Sequence, residues 1–360
     1  METNKEILIV GAGPSGLSVG IFLYDLGYQP TVIDKKDKIS PFSKALGVNP
    51  RTLEILEEHD IAHKFLEKGR KMESLNLWKG EQFIYKNDLS KVKHRYPFML
   101  ILSQKESEEI LLDELCKRKL NVEYGTEFIS LEHKKSKYEV TFRGKNKQHI
   151  KFDLLIGADG GHSRIREQLN IDYKGFKYDK VWELYDIELD TNLEKNEGHI
   201  ILFKEGGIIL IRLAENVWRV AGNLKNVLNY LPKNTKPGRI VWESKFRIQH
   251  KVAEFLTKGN VVLLGDAAHQ HSPVGARGMN LGIEDAHTVS TLIHQNNLAD
   301  YGKERKPYLD KTVNRINTMT MALAGDSILA KTVSNSIKIV SIIFPLIMPN
   351  ARKFVMGLSK

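Results

Sequence analysis

Apolar positions in this chain recur in several rhythms, and the rhythm changes along its length. Near the N-terminus Ile7 to Val10 is an unbroken apolar run, as expected of a strand buried on both faces, where alternation is lost. A glycine turn follows. Ser15 to Leu26 then reads as a helix stopped by Gly27, and Thr31 to Ile33 as a second strand, so the segment predicts a β-α-β unit. Asn49 and Pro50 supply a cap and a first-turn proline for a helix carrying Leu53, Ile55 and Leu56. Ser103 and Glu106 form an S-x-x-E capping box. Behind it Leu111, Leu112, Leu115 and Cys116 are expected to share one buried stripe.

From Asn121 to Ile156 the pattern shortens to strands around a polar hairpin, ending in the apolar Leu154 to Ile156. Between about 175 and 250, Ile200–Phe203, Ile208–Arg212 and Val217–Val220 are separated by turn residues, which predicts an antiparallel sheet in a layer of its own. Asn260 to Leu264 returns to the parallel-sheet style. From Gly278 the pattern is helical to the end, with Val313, Ile316, Met319 and Leu323 at helical spacing. The expected fold class is α/β. Residues 1–72, 98–174 and 251–300 would form a Rossmann-like nucleotide domain, 73–97 with 175–250 a β-rich domain, and 301–360 a C-terminal helical segment.

Composition changes this picture little. The 360 residues are 41% hydrophobic and 27% charged, enough for one large core or two smaller ones. Cys116 is the only cysteine, so an intramolecular disulfide and a cysteine metal cluster are excluded and a reducing cytoplasm is expected. No secretory signal is expected at the N-terminus, where Met1 to Glu6 leads straight into a strand. The net charge of +10 is densest between Lys134 and Lys151, which reads as a solvated hairpin, with attraction to anionic substrates or lipid head groups as the alternative. No nucleic-acid motif is present, so no nucleic-acid partner is expected. The apolar run Ile339 to Met348 is broken by Pro345 and falls short of the ~20 residues a spanning helix needs. It is expected to pack on the body, with peripheral membrane contact through the C-terminus as the alternative.

Three glycine-containing motifs carry the candidate chemistry. Gly11-x-Gly13-x-x-Gly16 follows a strand and opens a helix, with Ser15 inside it. Gly11 permits the tight turn, Gly13 lets a pyrophosphate approach the backbone, and Gly16 allows close helix-sheet packing. The helix N-terminus then offers N–H groups to phosphate. Asp34 closes the next strand at the distance expected of a carboxylate that accepts from a ribose diol. This fingerprint alone does not choose between FAD and NAD. Asp266 follows a buried strand and so stands where ligands collect in open α/β sheets, with Gly275, Gly278 and Gly282 leading into a helix. His269 and His271 lack a third ligand nearby, so no metal site is expected. Asp159, Gly160, Ser163 and Arg166 read either as a helix-capping turn with a surface arginine or as a turn of small residues against a nucleotide.

In this order and spacing the motifs resemble the class A flavin-dependent aromatic hydroxylases, the family of para-hydroxybenzoate hydroxylase, over residues 5 to 290. The resemblance implies that fold, an FAD-binding domain with an inserted β-sheet substrate domain and C-terminal helices. It also implies that the first glycines hold the ADP part of FAD. Asp159 and Gly160, in D-G-x-x-S-x-x-R, would serve FAD and the NAD(P)H encounter. In Gly265 to Pro273, Asp266 would bind the ribityl hydroxyls and Pro273 border the isoalloxazine. Arg51, within the flavin-contacting stretch Ala45 to Leu56, and Gln104, on the ribityl chain, complete the set with Gly278, Met279 and Asn280. The implied activity is an FAD-dependent monooxygenase using NADH or NADPH and O2. It would act through a flavin C4a-hydroperoxide on an aromatic, phenolic or polyketide-like small molecule. The alternatives are a dehydrogenase or reductase of a prenyl or quinone substrate, and a membrane-peripheral protein with structural FAD. No side chain stands out as a catalytic acid or base. Three departures are visible. Ala276-Arg277 stands where phenol-type members read Gly-Gln, which places a cation near the flavin. The link from Asn223 to Arg239 is short, so part of the substrate domain is expected to be trimmed, and no thioredoxin-like C-terminal domain is expected.

Overall fold

The computed structural model describes residues 5–41, 45–134, 137–144, 149–325 and 349–359. In chain order its main elements are β1 (Ile7–Val10), α1 (Pro14–Asp25), β2 (Thr31–Asp34), α2 (Pro50–Glu58), β3 (Ser74–Lys79), β4 (Gln82–Asp88) and α3 (Gln104–Lys117). Then come β5 (Val122–Tyr124), β6 (Leu154–Gly157), β7 (Tyr173–Asp190), β8 (Glu197–Leu202), β9 (Gly207–Arg212) and β10 (Val217–Gly222). The last are β11 (Lys236–Ala253), β12 (Val261–Leu263), α4 (Gly278–His294) and α5 (Tyr301–Leu323).

The first sheet has six strands, ordered Thr257–Lys258, β12, β6, β1, β2, β5, and is parallel apart from its Thr257–Lys258 edge. Its central strands are buried throughout, which is why they read as unbroken apolar runs. α1 lies close against it because Gly16 carries no side chain: a Cβ there would stand 1.8 Å from the Gly11 carbonyl oxygen. α4 approaches α1 with similar closeness, since added Cβ atoms at Gly265 and Gly282 would both collide with the Ser15 hydroxyl. The main core, with Leu8, Ile9, Leu17, Phe22 and Leu155 fully or almost fully buried, fills the space between this sheet and its helices.

The second sheet has eight strands, ordered His269–Gln270, β11, β7, β10, β9, β8, β3, β4. It draws on residues 74–88 as well as on the later β-rich stretch. It departs from the expected antiparallel pattern at one place, where β3 joins β8 in parallel, Ser74 opposite Glu197. Local alternation could not reveal that, because the partners are far apart in sequence. A smaller core of Ile187, Ile208, Leu210, Trp218 and Val220 backs this sheet.

Two expectations need correction. Cys116 is exposed rather than buried. Leu111 and Leu115 set the inward direction of α3, and each further residue turns ~100° away from it. Glu108 and Glu114 take the buried positions instead, Glu114 being held by Lys64, Lys117 and Arg118. The C-terminal helical pattern is also interrupted, because α4 and α5 are separated by a turn over 295–300. The run Ile339 to Met348 lies outside the described residues, and among those described no helix is long and apolar enough to cross a membrane.

Candidate active site

A cavity of about 740 Å³ lies at the carboxyl ends of β1, β2, β6 and β12 and extends to the face of the large sheet. That is where ligands collect in open α/β folds. The first motif contributes Gly11, Gly13 and Ser15, and Asp34 and Gln104 stand beside it. Asp159 and Gly160 come from the second motif, and Gly265, Asp266 and Pro273 from the third, with Gly278 and Met279 opening α4. Three expected residues lie elsewhere. Gly16 is a packing glycine behind the wall. Arg51 lies half-buried outside the lining, with its guanidinium on Glu54 at 3.1 Å. Asn280 is fully buried and locks loops together: its amide oxygen accepts from the Asn49 N–H, and its amide nitrogen donates to the Gly47 and Ala276 carbonyls.

Gly13 has extended backbone (φ −77°, ψ −177°), and a Cβ added there would meet nothing within 4 Å, so its bare Cα faces open cavity. Among the described residues no side chain caps α1 at Gly13 or α4 at Arg277, which leaves first-turn N–H groups of both helices for a ligand. Asp159 receives the Ile165 N–H at 3.3 Å on Oδ2, whereas its Oδ1 is buried with no partner among the described residues. Burial pushes this carboxyl's pKa up. A buried acceptor without a donor is costly, so a ligand hydroxyl or N–H there would be favourable. These features fit a dinucleotide.

Arg166 is not the surface arginine that a simple capping turn would give. Ser163 does cap the short helix Arg164–Gln168, accepting from the Arg166 N–H at 3.0 Å. The Arg166 side chain is buried, donates to the carbonyls of Ala267 and Gly161 at 3.0 Å each, and covers the Tyr173 ring at 3.8 Å. The Tyr173 hydroxyl donates to the Asp266 carbonyl at 2.8 Å. One guanidinium thus ties the second motif to the third.

The third motif rests on an ionic network. His269 Nε2 lies 2.6 Å from Asp285 Oδ2, which also accepts from the Gly265 N–H. Arg305 donates to Asp285 Oδ1 at 2.6 Å and to Glu284 at 3.2 Å, while Arg277 meets Glu284 at 3.1 Å and Tyr308 at 3.0 Å. Burial pushes the Asp285 carboxyl up, but Arg305 and His269 outweigh it and hold its pKa at about 2. Glu284, Asp285, Arg305 and Tyr308 were not singled out in the sequence. The available signal was an acidic pair inside an apolar helical stripe (Leu281, Ile283, Ala286, Val289), with Arg305 on the next helix to answer it. His271, in the cavity wall, donates from Nδ1 to the Ser272 carbonyl at 2.9 Å, and burial pushes its pKa down to about 3, so the ring is neutral.

The far half of the cavity is apolar. Trp182, Leu184, Ile209 and Phe246 of the large sheet face Met99 and Met319. Arg219 is neutralised there by Asp186 through two bonds of 2.8 Å. Val355 adds to the wall from a helical turn over 349–355, which is tied down by Arg315 on the Asn350 carbonyl and Arg352 on Asn87. Gly357 follows it in a left-handed conformation (φ +75°), close against Arg277.

Residues 4–221 and 221–315 match the family described as FAD binding domain. The chain is 28% identical over 353 residues to 6-methylpretetramide 4-monooxygenase of Streptomyces rimosus, covering 89% of this chain and 62% of that protein. It is also 28% identical over 360 residues to pentachlorophenol 4-monooxygenase of Sphingobium chlorophenolicum, covering 90% and 66%. The chain thus spans slightly less than two thirds of these relatives. In fold it resembles p-nitrophenol 4-monooxygenase from Pseudomonas putida DLL-E4, with a TM-score of 0.87, 17% identity and 99% of both chains covered. It also resembles aklavinone-11 hydroxylase solved with FAD and aklavinone, with a TM-score of 0.80, 20% identity, and 90% of this chain and 70% of that one covered.

Proposed function

The chain belongs to the FAD-binding domain family, with FAD as its cofactor, and on that premise we propose that it is a monooxygenase. It uses NADH or NADPH and O2 to hydroxylate an aromatic, phenolic or polyketide-like small molecule. The observation that carries this reading is the continuity of the cavity. Its polar end gathers all three motifs, and its other end is an apolar wall large enough to shelter a flat ring system.

The residues divide along that length. Gly11, Gly13, Ser15 and Asp34 would hold the adenosine diphosphate half of FAD, with Asp159 and Gly160 beside it. Gln104, Gly265 and Asp266 would take the ribityl chain, and Pro273, Gly278 and Met279 would border the ring. Bound FAD supplies the redox chemistry, accepting electrons from the nicotinamide and delivering one oxygen atom to the substrate. The chain itself contributes orientation and dryness. Trp182, Phe246 and Met319 exclude water from the reacting end, and Asp186 pairs with Arg219 on the same wall.

The test is to mix the purified protein under air with NADH or NADPH, with and without a panel of phenols and polyketide aromatics, and follow the visible spectrum and O2 uptake. Flavin bleaching that a panel member accelerates, followed by re-oxidation with hydroxylated product, is expected. Bleaching without O2-dependent product would favour a dehydrogenase, and a yellow protein inert to both nicotinamides would sink the oxygenase reading.

A further inference from the structure

The polar end of the cavity holds a second carboxyl that the glycine fingerprint does not include. Glu108 sits on α3 one turn after Gln104, lines the cavity, and is only 4% exposed. The Gln104 side-chain amide donates to Glu108 Oε1 at 2.7 Å, and among the described residues no other hydrogen bond reaches this carboxyl. Asp34, the acid expected to grip the ribose, is already engaged by the fold. Its Oδ2 accepts the Ala12 N–H at 2.7 Å and its Oδ1 the Lys36 N–H at 2.8 Å. Asp34 and Glu108 are close enough to influence each other, and such a pair of carboxyls suits a vicinal diol, which offers two O–H donors.

We infer that Glu108 is a second ribose-binding residue, taking a hydroxyl of the cofactor's adenosine on Oε2 while its Oε1 fixes the Gln104 amide. This rests on the FAD reading above and adds a contact to it. A carboxyl that is 4% exposed and accepts a single hydrogen bond gains from a further donor, which the ribose hydroxyl would supply. The charged and titratable neighbours are Lys36, which favours the ionised carboxylate, Asp34, which opposes it, and Tyr124 of β5, whose buried hydroxyl has no partner among the described residues. Burial pushes the Glu108 pKa above its ordinary value, and a hydrogen bond donated to the ionised carboxylate would act in the opposite direction.

The experiment uses apoprotein and two probes, ADP and 2′,3′-dideoxy-ADP, titrated calorimetrically between pH 5 and 8 into wild type and Glu108→Gln. Wild type should prefer ADP, and at pH 8 the substitution should weaken ADP about tenfold, as loss of one charge-assisted hydrogen bond would. Dideoxy-ADP should bind both proteins alike, and the difference for ADP should shrink toward pH 5 as the wild-type carboxyl gains its proton. Equal weakening of both probes would mean a merely structural role and would overturn the inference, as would an unchanged ADP affinity. If Glu108→Gln fails to fold, wild type alone decides: a preference for ADP that is flat with pH overturns the proposal, and one that rises with pH supports it. FAD binding serves as the control. A wild type that binds neither FAD nor ADP would remove the cofactor reading and this one together, whereas tight FAD with an unchanged probe ratio would remove only this one.

Discussion

Gly13→Val should separate cofactor binding from folding. The Gly13 backbone is extended and any residue can adopt it, and its side-chain direction opens on empty cavity. The fold should therefore tolerate valine, at a cost within about 1 kcal/mol for a poorer helix N-cap. The ligand should not. Valine's methyl groups would occupy the space in which a pyrophosphate meets the first-turn N–H groups of α1. Loss of two hydrogen bonds to a charged group removes roughly 3–6 kcal/mol, or about two to four orders of magnitude in Kd. The companion variant Gly16→Ala should behave in the opposite way, because its Cβ would stand 1.8 Å from the Gly11 carbonyl oxygen and helix and sheet must separate. The assay is thermal unfolding of the apoprotein alongside FAD titration by flavin fluorescence. Gly13→Val with a near-wild-type midpoint and no measurable FAD binding is expected, and Gly16→Ala with a clearly lowered midpoint. Gly13→Val retaining FAD within threefold of wild type would refute the reasoning.

Two further outcomes follow from the buried polar groups. Asp285→Asn should cost about 3–5 kcal/mol at neutral pH, because the buried Arg305 loses the charge that compensates it and His269 loses a carboxylate partner. The Asp285 pKa is held at about 2, below its ordinary 3.8, so its contribution is complete above 3.8 and is lost as pH falls toward 2. The wild-type advantage in urea midpoint should accordingly close across that window, and an advantage as large at pH 2 as at pH 7 would contradict the assignment. Arg166→Lys should weaken FAD about tenfold despite keeping the charge, since one ammonium cannot reproduce the fork that bridges Ala267 and Gly161. Unchanged flavin fluorescence titration in that variant would show that the two turns hold without the clip.

The parts of the fold legible in the sequence were those written in local pattern. β1, α1 and β2 were found to within about a residue because glycine, proline and aspartate punctuate continuous Val/Ile runs. The Ser103–Glu106 capping box and the Asn49 cap form as read, since both involve groups three residues apart. The residues that position the site were harder to see. Arg166 looks like any polar residue on a short helix until β12 brings Ala267 beside it. Asn280 looks like a ligand-facing residue because it adjoins Gly278 and Met279, yet the helical turn carries its amide behind the wall to Gly47. Arg51 is drawn off by Glu54, three residues along α2, an ordinary i,i+3 pairing. Cys116 lies outside the buried stripe because leucine spacing fixes a stripe only to within one residue, and Glu108, bonded to Gln104, and the ion-paired Glu114 take the inward positions.

The parallel seam between β3 and β8 bears on how this chain is made. Strand 74–79 leaves the ribosome long before its partner at 197–202, just as β1 must wait for β6 and β6 for β12. The parallel sheet therefore cannot close until synthesis passes residue 263 nor the large sheet until it passes 270, and the early hairpin of β3 and β4 waits for residue 202 with an unpaired edge. Pairings of such sequence separation are slow to find, because the connecting loop must be ordered before any contact rewards it. Both sheets are thus bound to late-made strands, and a fragment ending before residue 197 would carry parts of two unfinished sheets.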